Sequence, residues 1–319
     1  MHFRLFVDDD TPGVWEREIF HRFAAHLETR GARVEARSSP RFAARGRLGR
    51  RHPIELSHCL AILDRPRGGQ TRDYWVLDGT DWTLPFTNHL DAFAADRRCR
   101  RVLKCQWERR HFGPGSGREK VVPWTYFETH ATAFQQRLGE LRRRRDARDA
   151  AGALVGDAPR SPLYFRGNAS WANRRPILQA LAARGLVRPD FETTVPYDSY
   201  LDELAAAPIA LCLPGFGVLC HREIEAFGVG TPVLMPRPVN QLADPLEPDV
   251  HYLAVAIDVE KSSPDEVASE LAARLETARH DPSSLTAVSG AARAWYDRNV
   301  RFPASLELAV RQLELPLPT

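Results

Sequence analysis

The chain has 319 residues, of which 43% are hydrophobic and 27% charged, with a net charge of +3. This length suits two domains better than one, and the composition is that of a globular protein rather than a disordered or fibrous one. So small a net charge gives no ground for nucleic-acid binding, and no stretch reaches membrane-spanning length. The basic residues are nearly all Arg, with Lys only at Lys104, Lys120 and Lys261. Cys59, Cys99, Cys105, Cys212 and Cys220 form no C-x-x-C pair and are odd in number, which fits a reducing compartment better than a disulfide framework. The N-terminus enters a strand-like FRLFV without an apolar signal core, so a cytoplasmic location is expected.

A buried strand is predicted over 3–7, followed by Asp8, Asp9 and Asp10. Residues 15–29 have helical periodicity, with Trp15, Ile19, Phe20, Phe23 and Leu27 on one stripe, and 32–36 is a second strand. A β–loop–α–β opening of this kind begins a doubly wound α/β domain, whose ligands sit at the carboxyl ends of the strands. The acidic triplet there admits three readings. It is a helix cap, a D-x-D metal signature, or a set of catalytic carboxylates. Residues 37–52 are Arg-rich and are expected as a flexible basic loop. Further strands are predicted over 59–63, 74–81, 101–106 and 120–124. The third-last of these ends in Asp78-Gly79-Thr80-Asp81.

Residues 127–151 form a helical connector in which Arg142 to Arg145 are expected to make a solvated face. The stretch 152–162 is rich in Gly, Pro and small residues and marks the domain boundary. The expected division is an N-terminal α/β domain over 1–155, a C-terminal domain over 156–300, and a terminal helix over 301–319. In the second half a strand over 163–165 leads into Arg166 and Gly167, then a helix over 173–184, a strand over 191–195 and a helix over 197–206. Amphipathic helices are predicted over 264–279, 285–299 and 304–315.

The distinctive stretch runs over 209–236, IALCLPGFGVLCHREIEAFGVGTPVLMP. It reads as a buried strand, a loop opened by Pro214, Gly215 and Gly217, a helix from His221, and a second strand after Gly230. A helix N-terminus facing such a loop offers unpaired N–H groups and a positive dipole end to an anion, commonly a phosphate. Arg222 could hold a diphosphate through paired hydrogen bonds, and Glu225 could accept from two adjacent sugar hydroxyls. The alternative is an ordinary α/β unit in which Arg222 and Glu225 form a solvated i,i+3 pair.

The pattern PG-x-G, then R-x-x-E-A-x-x-x-G-T-P-V-L, resembles the donor half of GT-B glycosyltransferases, particularly the exostosin-like and CAP10-like groups. Pro214, Gly215, Gly217, Arg222, Glu225, Ala226, Gly230, Thr231 and Pro232 carry the resemblance. Many retaining members place another Glu where this chain has Gly217. The resemblance implies two Rossmann-like α/β domains facing a cleft. It also implies transfer of a sugar from a nucleotide-sugar co-substrate to an acceptor of unspecified kind, with no resident cofactor or metal. Donor binding falls to Arg166, Gly167, Pro214, Gly215, Gly217, His221, Arg222 and Glu225. Asp8, Asp9 and Asp10 are the candidate catalytic carboxylates, with Asp78 and Asp81 second. A binding module that keeps the nucleotide pocket without turnover stays open as the competing reading.

Overall fold

The structure is a computed structural model that describes residues 1–8, 17–39, 41–45, 51–56, 60–79, 92–93, 95–105, 118–124, 131–150, 161–170, 173–215, 219–238 and 242–317. The chain divides into two units. One comprises Met1–Thr129, Asn240–Pro245 and Phe302–Thr319; the other comprises His130–Val239 and Leu246–Arg301.

Unit 1 opens with β1 (His2–Val7), α1 (Arg17–Thr29) and β2 (Arg33–Ser38), and β1 pairs with β2 in parallel as the sequence predicts. Ile19, Phe20, Phe23 and Leu27 of the predicted stripe are buried. Next come β3 (Arg41–Arg45), β4 (Arg51–Glu55), β5 (Leu60–Arg67), β6 (Gln70–Asp78), β7 (Cys99–Lys104) and β8 (Val121–Pro123). The main sheet has the order β2-β1-β5-β6-β7-β8, and β5 runs antiparallel to both its neighbours. The reversal is local in origin. Gly68 and Gly69 both have positive φ, 59° and 77°, as a two-residue hairpin turn requires. Since β6, β7 and β8 are mutually parallel, β1, β6, β7 and β8 all point the same way.

Within the expected basic loop over 37–52, the described residues 37–38 end β2, while 41–45 and 51–52 belong to the antiparallel strands β3 and β4. The period-two pattern buries Phe42, opposite Ile54, and Ala44 two residues on, which outweighs the Arg-rich composition.

Unit 2 begins with α2 (Ala131–Ala150), so this helix lies outside the unit in which the sequence division placed it. Its arginines explain why. Arg142 donates through Nε to the Gly228 carbonyl at 2.7 Å and pairs with both oxygens of Asp297 at 2.9 and 3.0 Å. Arg145 is fully buried, donating to the Ala207 carbonyl and pairing with Asp149. Arg144 pairs with Asp202 and Glu140. Arg143 and Arg144 are exposed, as the expected solvated face requires, whereas Arg142 and Arg145 act as clamps to other elements of unit 2.

The remaining elements of unit 2 are β9 (Leu163–Tyr164), α3 (Arg174–Ala183), α4 (Tyr197–Ala206), β10 (Ile209–Leu211), α5 (His221–Val229), β11 (Val233–Pro236), β12 (Leu253–Val255), α6 (Pro264–Arg279) and α7 (Pro282–Asn299). The four strands are all parallel, in the order β12-β11-β10-β9, and all are short and almost wholly apolar. The strand expected over 191–195 is absent. Its carbonyls are taken by other groups: Phe191 accepts from the Gly167 N–H, and Thr193 from the Arg166 guanidinium. A last helix, α8 (Ala304–Leu313), belongs to unit 1, where Leu306, Ala309, Val310 and Leu313 join the core around Phe3, Leu5, Phe20 and Trp75. Trp75 Nε1 donates to the Leu313 carbonyl at 2.9 Å.

The helix that opens the candidate site, α5, has no room at Gly228. A Cβ there would lie 2.8 Å from the Phe134 ring and 3.1 Å from Tyr296, both fully buried. Gly228→Ala should therefore destabilise the protein by roughly 1–3 kcal/mol through overpacking. Urea denaturation checks this, and an unchanged midpoint would contradict the packing of α5 against these rings.

Candidate functional site

The loops that follow β9 and β10 leave the carboxyl edge of the parallel sheet, where open α/β sheets place their ligands. Arg166, Gly167 and Asn168 from the first loop line a concavity of about 470 Å³. Glu192 to Val195, and Tyr197 and Tyr200 from the start of α4, complete its wall.

Three guanidinium groups gather beside it, in different electrostatic states. Arg166 is buried, and Glu203 holds it by two hydrogen bonds, at 3.0 and 3.2 Å. Its Nη1 donates to the carbonyls of Asp190 and Thr193 at 3.1 and 3.3 Å. Nearly all its donors are thus committed within the protein. Arg174, at the first turn of α3, is also buried and donates to the carbonyls of Asn168, Leu213 and Pro214 at 2.8, 2.6 and 3.1 Å. It ties the β9 loop to the β10 loop.

Arg222 differs from both. It is 8% exposed, and its guanidinium carbon lies 4.1 Å from the Phe165 ring centroid. Its Nη2 donates to the Arg166 carbonyl at 2.7 Å, while buried Nε and Nη1 have no hydrogen-bond partner among the described residues. Neither Arg174 nor Arg222 forms a contact ion pair among the described residues. The cation–π contact with Phe165 offsets part of the desolvation of Arg222, but two unsatisfied buried donors are costly. An anion reaching this guanidinium would recover that cost.

The glycines are explained by these side chains. A Cβ on Gly167, whose φ is +143°, would lie 2.7 Å from Arg222 Nη2. One on Gly215 would lie 2.7 Å from Arg174 Nη2 and 3.1 Å from Cys220 Sγ. Both positions are small because an arginine fills the space. The loop residues Pro214 and Gly215 are brought beside Arg174, and Gly217 lies outside the described residues. His221 is the first residue of α5 and half-buried.

Glu225 does not form the solvated pair with Arg222 that the spacing allows. It is 3% exposed, and its two oxygens accept from the hydroxyls of Tyr197 and Tyr200, each at 2.6 Å. The hydroxyls expected to reach it from a sugar are here supplied by tyrosines. Glu223, also buried, accepts from the Cys220 N–H at 3.1 Å and so satisfies the end of α5. Burial pushes both carboxyls up to about 7, against the pull of Arg222 and, for Glu225, of the tyrosine hydroxyls.

Of the candidate catalytic carboxylates, Asp8 follows β1 at the carboxyl edge of the unit 1 sheet, and Asp9, Asp10 and Asp81 lie outside the described residues. Asp78 ends β6 at the same edge, with its carboxylate 3.3 Å from the fully buried Lys104 ammonium. No group of three potential metal ligands occurs among the described residues. None of the described helices is long and apolar enough to cross a membrane.

Arg174, Phe165, Tyr197, Tyr200 and Glu223 were not legible as site residues. The one available signal was the i,i+3 spacing of Tyr197 and Tyr200 in the first turn of a predicted helix.

No protein-family profile matches the sequence, and no curated protein matches it. Among solved structures, the chain is similar over 98% of its length to WaaG, a glycosyltransferase involved in lipopolysaccharide biosynthesis. The TM-score is 0.50 at 11% identity, with 99% of that chain covered. A glycosyltransferase from Rickettsia africae ESF-5 matches 72% of this chain and 66% of its own, at 10% identity and TM-score 0.46. Anabaena Alr3699/HepE in complex with UDP-glucose matches 72% and 68%, at 13% identity and TM-score 0.45. The near-complete match to WaaG shows a GT-B-like α/β fold. The exostosin-like and CAP10-like groups find no support in these comparisons.

The two buried carboxyls make stability depend on pH. Their native values are raised from the usual 4.5 to about 7, so the folded state holds more protons than the unfolded one between those limits. The stabilisation is complete below about pH 4.5 and is lost as pH rises through 7, at up to about 1.4 kcal/mol per pH unit per proton. Glu225→Gln should flatten the decline of unfolding free energy over this window, measured by urea titration at several pH values. An unaltered slope would contradict the burial of Glu225.

Proposed function

We propose that the protein is a glycosyltransferase that moves a sugar from a nucleotide-sugar to an acceptor, and that unit 2 holds the donor. The observation that carries this reading is the buried Arg222 guanidinium, two of whose nitrogens have no hydrogen-bond partner among the described residues, behind a loop-lined concavity on a GT-B-like fold.

Glycosyl transfer develops negative charge on the departing nucleoside diphosphate. A fixed, desolvated cation and the N-terminus of α5 stabilise such charge without reorganising water, so the task does not demand a metal ion. Arg222 is the residue assigned to the diphosphate. Arg166 and Arg174, whose donors are committed to Glu203 and to backbone carbonyls, hold the two loops in place. The reaction also requires loss of the acceptor hydroxyl's proton, and the carboxylates that follow β1, beginning at Asp8, are assigned that step. The competing reading, binding without turnover, keeps the same pocket and differs only in the chemistry.

Two outcomes test the proposal. Arg222→Ala should lose nucleoside diphosphate binding by calorimetry and donor turnover together, a loss of roughly 2–4 kcal/mol in transition-state stabilisation, and Arg222→Lys should recover only part. Full activity in a folded Arg222→Ala variant would end the assignment. Turnover should also persist in EDTA; restoration of EDTA-inhibited turnover by Mn²⁺ or Mg²⁺ would instead give the Asp8–Asp10 segment a metal role. Binding without turnover of any nucleotide-sugar would favour the binding module.

A further inference from the structure

The outer strand of the unit 2 sheet, β9, borders a second cavity, of about 320 Å³, which shares no lining residue with the concavity beside Arg166. It reaches back to Ala207 and Pro208, which precede β10. Leu163, Phe165, Ala206, Ala207 and Pro208 make its wall chiefly apolar. Three charged side chains also reach that wall, and two of them are already matched. Arg188 pairs with both oxygens of Asp190, at 2.9 and 2.6 Å. Glu203 is held by Arg166 and accepts from the Tyr164 hydroxyl at 3.1 Å. Arg148, in the last turn of α2, has no hydrogen-bond or ion-pair partner among the described residues, and its Nε is buried.

The turn before it cannot supply a partner. Arg145 is fully buried and donates to the carbonyl of Ala207 on the cavity wall, while its Nη2 has no hydrogen-bond partner among the described residues. Asp149 lies 3.0 Å from Arg145, and Asp146 lies 2.8 Å from Arg293, so both carboxylates are matched. Arg148 is left as the uncompensated cation. Burial, with the like charges of Arg148 and Arg293, draws the Arg145 guanidinium below its ordinary value against the pull of Asp149. A negative charge beside Arg148 would relieve that repulsion and satisfy the orphaned Nε. A carboxylate can accept from Nε–H and the adjacent Nη–H together, since its two oxygens match that edge of a guanidinium. One unmatched cation near Glu203 and Asp149 favours a single negative charge over two.

We propose that this cavity binds a small amphiphilic monocarboxylate, with its head on the Arg148 guanidinium and its apolar body along β9 and the end of α4. The volume sets the size. A cavity of about 150 Å³ holds one benzene, so this one takes a body of about a dozen heavy atoms at most. Neither Arg222 nor the N-terminus of α5 takes part, so this site and the donor site stand or fall separately.

Isothermal titration of the full-length protein at neutral pH tests this with octanoate, octanol, octylammonium and octyl phosphate. Octanoate should bind one to one and about tenfold or more tighter than octanol, as a charge-assisted pair requires. Octylammonium should bind more weakly than octanol, and octyl phosphate no tighter than octanoate. Arg148→Met keeps the apolar stem and removes the charge, so it should bring octanoate down to the affinity of octanol. Arg148→Lys should recover part of the difference, and Arg143→Met, at an exposed position of the same helix, should change nothing. Ala206→Trp, at an exposed position on the wall, fills the space and should weaken octanoate and octanol alike. The order of the four probes on wild type decides the matter even where a variant melts early.

Equal binding of octanoate and octanol to wild type overturns the proposal. So does octanoate binding that a folded Arg148→Met variant leaves untouched, or no octanoate bound at millimolar concentration. Octyl phosphate binding more than about tenfold tighter than octanoate overturns the choice of a monoanion.

Discussion

A guanidinium buried against the face of Phe165 sets the terms for the carboxyl edge of unit 2. Arg222 reaches that ring from the first turn of α5, donates to the Arg166 carbonyl, and fills the space that a side chain at residue 167 would need. The β9 loop must therefore be glycine at 167, with a backbone dihedral that other residues rarely adopt. Arg174 repeats the arrangement on the other side: it occupies the space beside Gly215 and ties the two loops through three carbonyls. Two buried cations are thus held by backbone dipoles and an aromatic face instead of carboxylates. An anion at this site is what the proposed donor role requires.

The carboxylates nearby are engaged with other groups, Glu192 in the wall pairing with Arg175 at 2.7 Å. Glu203 is consumed by Arg166, Glu223 caps its own helix, and Glu225 is enclosed by two tyrosines. Desolvation weakens the ionised form of Glu223 and Glu225, which further limits their neutralising effect near pH 7. The concavity itself is lined by Arg166 and Glu192 together with Thr193, Thr194, Tyr197 and Tyr200, and Arg222 lies behind it against Phe165.

Much of the fold could be read from residue patterns, for reasons that are local. The helix over 197–206 and that over 264–279 agree with α4 and α6 because their boundaries are set by adjacent proline, Pro196 in the one case and N1 Pro264 after a capping Ser263 in the other. The parallel strands of unit 2 were legible as short apolar runs. The Gly68-Gly69 pair between two apolar runs is a hairpin signal present in the sequence, and the expectation of a doubly wound domain did not take it into account. The β3–β4 hairpin was hidden by composition, since its arginines drew attention from the alternation of Phe42, Ala44 and Ile54. The site was legible only in part. Arg222 and Glu225 stood out by spacing, yet their partners lie 25 to 57 residues away, at Tyr200, Tyr197, Arg166 and Phe165. A single sequence shows that a residue can pair, not which distant residue satisfies it. The clamps of α2 were unreadable for the same reason.

The central claim is that a nucleoside diphosphate binds at the loops following β9 and β10. Hydrogen–deuterium exchange with and without the tightest-binding nucleoside diphosphate locates the ligand without requiring turnover. The account predicts slowed exchange at the amides of residues 165–169 and 219–224. Protection confined to unit 1, or no change in those two segments at saturating ligand, would contradict it.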